Sequence, residues 1–181
     1  GILDFERGRE DRLVPYSWLT DTALAEWFNQ RSAPYRSADY MIGVLVDIVA
    51  KNGCLLLNFT QRPDGTLDEE NLHILDVMAK WIKVNGEAVY GSKAGPFWPR
   101  RFPWGVCTYK PGRIFLHVCD TSATREAALP GLTNKVVAAY LLLVLWSHLA
   151  RPLGNFLVLA DRVARHALTR RERLDGGVGG L

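Results

Sequence analysis

Residues 37 to 90 constrain the fold more tightly than any other stretch. Ser37 is placed to cap a helix, because its hydroxyl can accept from a free first-turn N–H. After it, Tyr40, Met41, Val44, Leu45, Ile48 and Val49 recur at helical spacing on one face. Lys51 falls in the last turn, and Gly53 supplies the left-handed stop that ends many helices. Cys54 to Phe59 is a continuous apolar run broken by Asn58, which predicts a strand buried on both faces with Cys54 as a small core residue. Pro63-Asp64-Gly65 is turn chemistry. Thr66 and Glu69 have capping-box spacing, and Leu72, Leu75, Met78, Ala79 and Ile82 are expected to line the next helix, which Asn85-Gly86 ends.

Two short segments precede this stretch. Ile2-Leu3-Asp4-Phe5 predicts a strand running into a charged loop at Glu6-Arg7-Gly8, and Leu13 to Leu24 predicts a second strand with its exit loop. Strands alternating with helices imply a parallel sheet. A complete (β/α)8 barrel takes about 250 residues, and only the first half of this 181-residue chain has the alternating character. The first residue is Gly1 rather than Met, so the chain reads as entered within a domain.

Beyond Gly91 the character changes. Pro96, Pro99 and Pro103 mark an irregular connection. Gly105 to Tyr109 and Arg113 to Val118 flank Lys110-Pro111-Gly112, a hairpin signal. Val136 to Ala150 is apolar but shorter than the roughly 20 residues that span a bilayer, so a buried helix or strand pair is expected rather than a membrane segment. Gly154 to Leu159 reads as another strand, and the Arg- and Gly-rich residues 170–181 as disordered.

Order and spacing of the short motifs carry a resemblance. Lys51-Asn52-Gly53, Leu55-Leu56-Leu57-Asn58, Asp64-Gly65 and Asn85-Gly86-Glu87 through Tyr90 resemble the C-terminal part of the barrel domain of α-L-fucosidases, glycoside hydrolase family 29. The resemblance covers roughly Leu3 to Leu142. It implies an α/β fold: a partial (β/α)8 barrel, its last strands and helices, followed by an incomplete β-sandwich-like region. The expected boundaries are 1–95 for the barrel part, 96–169 for the β-rich part and 170–181 for the tail.

The parent activity implied is retaining hydrolysis of terminal α-L-fucose from glycans, which needs two carboxyl groups about 5–5.5 Å apart. Glu6, in Asp4-Phe5-Glu6-Arg7-Gly8, resembles the family segment that holds the acid/base carboxylate in several members. Many members carry a Trp-Glu pair downstream; here that place reads Trp18-Leu19, which shifts weight onto Glu6. Read without the resemblance, Glu6 is an exposed loop residue paired with Arg7. Trp27 resembles the aromatic residue that packs on the apolar face of fucose; the bland alternative is a core tryptophan. The family nucleophile is an aspartate on an earlier strand, so the resemblance implies that this chain lacks it and is inactive alone.

The remaining polar residues read as structural. Asp21, Asp47, Asp64 and Glu87 are expected to support the fold, Asn58 to satisfy local backbone groups, and His73 to be solvated. His117, His148 and His166 form no triad or ligand spacing, and neither a metal site nor a cofactor is implied. Whether Cys107 and Cys119 meet across the hairpin stays open. A net charge of +3 is too small to argue for nucleic acid. The implied partner is a fucosylated glycan, with association through the exposed barrel edge. Family members are commonly secreted, periplasmic or lysosomal, and nothing in this sequence chooses among them. The alternative to an enzyme part is a non-catalytic remnant or a carbohydrate- or protein-binding module.

Overall fold

The structure is a computed structural model that describes residues 1–30, 33–95, 102–119, 127–133, 135–144 and 153–160. Pro96, Pro99, Trp146, His148, His166 and the tail 170–181 therefore lie outside the described residues. Two sheets sandwich a pair of helices. The first sheet is parallel, with strands β1 (Leu3–Glu6), β2 (Trp18–Ala23) and β3 (Gly53–Asn58) in the order β1-β2-β3. Helix α1 (Ala38–Ala50) connects β2 to β3, and α2 (Glu69–Asn85) follows β3. The second sheet is antiparallel and contains β4 (Lys93–Ala94), β5 (Gly105–Lys110), β6 (Arg113–Val118), β7 (Ala138–Val144) and β8 (Leu153–Ala160), in the order β4-β5-β6-β8-β7.

Local chemistry explains the start of α1. The Ser37 hydroxyl accepts from the Tyr40 N–H at 3.2 Å, as the cap rule requires. Met41, Ile42, Val46 and Ile48 are buried, but Tyr40, expected on the apolar face, is half exposed. It lies in the first turn, with the Arg36 guanidinium 5.8 Å from its ring centroid.

The left-handed residue after α1 is Asn52 (φ 71°), not Gly53. Gly53 is glycine for lack of space: a Cβ there would sit 2.5 Å from Trp18 Cε2 and 2.9 Å from Ile48 Cγ2. Gly53→Ala is accordingly expected to destabilise the chain by about 1–3 kcal/mol through overpacking, read as a lower denaturant midpoint with an unchanged slope.

Helix α2 is rotated from the expected stripe. Its buried residues are Asn71, Ile74, Val77, Trp81 and Asn85, whereas Leu72 and Leu75 are exposed. The true stripe begins and ends on asparagines, which a hydrophobic pattern cannot see. Asn71 Nδ2 donates to Tyr35 Oη and to the Thr60 carbonyl, and Asn85 Nδ2 donates to the Trp81 carbonyl at 2.9 Å. The cap is Asp68, which accepts from Asn71 N–H at 2.8 Å, and not Thr66. Thr66 instead donates its N–H and hydroxyl to the Asp64 carboxylate, closing the Pro63-Asp64-Gly65 turn. Those donors hold the Asp64 carboxyl below its usual range.

Only one face of the parallel sheet is covered by helices. Trp18, Thr20 and Thr22 point into the helix layer and are buried. On β3 burial alternates, so Cys54 and Leu56 point the other way and are exposed. The expectation that β3 is buried on both faces, with Cys54 in the core, is therefore corrected. Trp18 anchors the covered face. It is fully buried among Val14, Ile48 and Phe5, and its indole N–H donates to the Lys51 carbonyl at 2.9 Å.

Asp47 is buried on α1 and holds two cations, Lys51 at 2.8 Å and Arg9 at 3.3 Å. Lys51 Nζ also donates to the Glu10 carbonyl, tying the loop after β1 to the helix.

A further cluster joins Ile42, Val46 and Ala50 of α1 and Trp81 of α2 to Val106 of β5 and Phe115 of β6. The antiparallel sheet is thus packed on the side of the helices away from β1–β3. The expected hairpin is present, with Gly112 at φ 77° in its turn. Within the apolar run Val136 to Ala150, Ala138–Val144 forms β7 and pairs with β8, and residues 145–150 lie outside the described residues. No disulfide joins Cys107, which is buried, to Cys119, which is exposed. Among the described residues, no helix is long and apolar enough to cross a membrane.

Inside this second sheet His117 is buried, with Nε2 2.9 Å from the Thr108 hydroxyl. Burial pushes its pKa down from 6.5 to about 3. A protonated His117 is tolerated in the unfolded chain and disfavoured in the folded one. Stability should therefore be full above pH 6.5 and fall on acidification by up to about 1.4 kcal/mol per pH unit, levelling off near pH 3. Urea titrations between pH 7 and 4 check this, with His117→Gln expected to flatten that part of the profile.

Candidate functional site

Parallel strands place their carboxyl ends together, and here those ends are Glu6, Ala23 and Asn58. Cross-strand register sets Glu6 beside Asp21, Asp21 beside Leu56, and Ala23 beside Asn58. Register partners in a sheet share a face, so Glu6, Asp21, Leu56 and Asn58 all lie on the face away from the helices. With Trp27 and Phe28 from the loop after β2, they line an open depression of about 480 Å³.

Glu6 and Trp27, the two site residues expected from the sequence, meet there. The Trp27 indole N–H donates to Glu6 Oε1 at 2.9 Å. Trp27 is half-buried at the rim of the depression rather than a member of a core cluster. Glu6 is exposed, and the partner shown for it is Trp27, not Arg7.

Arg7 holds Trp27 from the other side. Its guanidinium carbon lies 4.7 Å from the centroid of the Trp27 ring, a cation–π contact worth about 0.5–1 kcal/mol at an exposed site. The same group donates to the Ala25 carbonyl at 3.3 Å and pairs with Glu26 at 3.4 Å. Arg7 has φ 56°, an uncommon left-handed conformation for a residue with a side chain. That turn is fixed by Arg7 N–H donating to the Asp21 carbonyl at 2.8 Å and by the Thr20 hydroxyl donating to the Gly8 carbonyl at 2.6 Å. Strained backbone of this kind gathers where surrounding structure over-determines a functional group. Charge alternation around Glu6 hints at Arg7 in the sequence, but its stacking depends on a loop 20 residues away.

Asn58 was expected to satisfy nearby backbone, and that reading is corrected. Its own carbonyl accepts from Leu24 N–H, whereas its side chain lines the depression and makes no hydrogen bond with another described residue. Asp64 and Asp47 have the structural partners described above, Glu87 pairs with Arg113, and His73 is exposed. Among the described residues no group of three or more His, Cys, Asp or Glu side chains could hold a metal ion.

A family profile described as Alpha-L-fucosidase matches residues 2–87, which contain all six residues lining the depression. Plasma alpha-L-fucosidase of Homo sapiens is 33% identical over 91 residues, covering 47% of this chain and 19% of that protein, so the chain spans about a fifth of its relative. The structure of α-L-fucosidase isoenzyme 1 from Paenibacillus thiaminolyticus superposes with a TM-score of 0.74 at 21% identity, over 87% of this chain and 44% of that one. The Thermotoga maritima α-fucosidase, determined with a mechanism-based inhibitor, is 27% identical with a TM-score of 0.51, over 59% of this chain and 26% of that one. Residues 2–87, just under half of the chain, thus match the α-L-fucosidase family, and the mixed α/β fold that continues beyond them resembles that of solved α-L-fucosidases.

Proposed function

We propose that this chain is the C-terminal part of a retaining α-L-fucosidase, in which Glu6 is the acid/base and Trp27 the sugar platform. Residues 1–95 correspond in this reading to the closing strands and helices of a (β/α)8 barrel, and 96–169 to part of a β-sandwich. The observation that carries it is the Glu6–Trp27 hydrogen bond at the carboxyl ends of parallel strands, where barrel active sites lie.

The chemistry follows from that placement. Protonated Glu6 delivers its proton to the glycosidic oxygen as the bond to the anomeric carbon breaks. An aspartate on an earlier barrel strand, outside this chain, attacks that carbon and forms the covalent glycosyl-enzyme. Glu6, now a carboxylate, takes a proton from water as the water displaces the aspartate, so the acid is regenerated. The Trp27 N–H fixes the direction of the Glu6 carboxyl, while the indole face packs against the C–H surface and methyl group of fucose. Earlier barrel units would pair with the free edge of β1 and cover Leu56, which accounts for the bare face of this sheet.

The test is hydrolysis of an aryl α-L-fucoside by this chain joined to the earlier barrel units of a family relative. Turnover by the joined protein, with none by the chain alone, is the expected result. A joined protein that folds and binds fucose without turnover would favour the binding-module reading.

A further inference from the structure

The floor of the depression holds two polar side chains that the reaction scheme leaves unused. Asp21 and Asn58 are each half-buried, and neither side chain makes a hydrogen bond or ion pair with another described residue. Comparable groups elsewhere are engaged: Asp47 with Lys51, Asp68 with Tyr35 and Asn71, and Asn85 with the Trp81 carbonyl. A partly desolvated carboxylate or amide without a partner is costly unless water or a ligand completes it.

We propose that Asp21 and Asn58 form a polar subsite for saccharide hydroxyl groups on the floor beside Glu6. The inference rests on the saccharide reading above and extends it to residues whose expected roles were structural. Asp21 offers two acceptor oxygens, and Asn58 offers a donor pair and an acceptor. Leu56, in register with Asp21 and two residues before Asn58 on β3, lines the same depression, as do Trp27 and Phe28. A pyranose ring has the complementary pattern, with hydroxyls at its edge and C–H groups on its faces. Neither polar residue sits on a wandering loop. Asp21 is within β2, its carbonyl is held by Arg7 N–H, and Asn58 ends β3 with its carbonyl held by Leu24 N–H. The charge on Asp21 makes it the stronger acceptor, since hydrogen bonds to ionised groups exceed neutral ones.

Titration of the full chain with L-fucose, followed by tryptophan fluorescence and amide NMR shifts, provides the test, with D-glucose as the comparison sugar. Saturable binding of L-fucose is expected, weakened about tenfold or more by Asp21→Asn and by Asn58→Ala. Circular dichroism melting of each variant accompanies the titration, and Asn58→Asp replaces Asn58→Ala if the truncation unfolds. Wild-type affinity in both variants, with binding lost in Trp27→Ala, would overturn the subsite while leaving the proposed function standing. No saturable binding of L-fucose by the folded wild-type chain would overturn the subsite, whereas the proposed function is read separately, from turnover by the chain joined to the earlier barrel units.

Discussion

Replacing Trp18 with alanine is expected to destabilise the chain by about 3–5 kcal/mol. Trp18 is the side chain on which β1, β2, β3 and α1 converge. It has no exposed surface, packs edge-on against Phe5 with centroids 5.6 Å apart, and faces Gly53 across the sheet and Ile48 on the helix. Alanine would leave a cavity that two strands and a helix cannot collapse into. It would also remove the donor to the Lys51 carbonyl. Domain stabilities are about 5–15 kcal/mol, so this one change could exhaust most of the margin. Urea denaturation followed by far-UV circular dichroism checks it. A loss under 1 kcal/mol would mean that the contact between sheet and α1 does not depend on Trp18. Trp18→Phe should recover part of the loss, because it fills most of the space but supplies no N–H.

The second large effect concerns chemistry. In the completed barrel, Glu6→Gln is expected to lower turnover of an unactivated fucoside by about 10²–10⁴-fold. Glutamine preserves the shape and can keep the contact with Trp27, but it has no acidic proton to deliver. Stability should change little, because Glu6 is exposed and hydrogen-bonded at the rim rather than packed in a core. A fall in turnover at constant melting temperature therefore separates a catalytic role from a structural one. Turnover by the present chain alone, lost in Glu6→Gln, would contradict the placement of the nucleophile outside it. Asp21, the carboxylate in register with Glu6, would then be the first residue to examine as nucleophile.

Much of the fold could be read from local chemistry because that chemistry is short-range. Ser37 caps its helix through a residue three positions away, and Gly112 turns the hairpin within its own four residues. The expected apolar stripe of α2 failed for a different reason. Its buried edge is defined by Asn71 and Asn85, whose burial is offset by bonds to Tyr35, Thr60 and Trp81. Cys54 and Leu56 misled because an apolar run looks the same whether one face or both are covered. Their exposure reflects a sheet whose second face has no described layer over it.

The site was legible in part. Glu6 and Trp27 were expected in one candidate site from the resemblance, and the structure joins them by a 2.9 Å hydrogen bond. Arg7 could not be assigned its place from the sequence, since stacking on Trp27 depends on a left-handed turn at φ 56° and on the path of the loop after β2. Asn58 was misassigned for a similar reason. A polar residue at a strand end can turn to its own backbone or toward a neighbouring cavity, and only the register with Ala23 decides.

Leaving-group dependence tests the role of Glu6 most directly. Fluoride departs from a fucosyl fluoride without protonation, whereas an alkyl fucoside needs a proton on its departing oxygen. The completed barrel carrying Glu6→Gln should lose most of its activity on the alkyl fucoside and keep much more of the bond-cleavage rate on the fluoride. An equal loss on both substrates would contradict the assignment and make Glu6 a binding or structural residue.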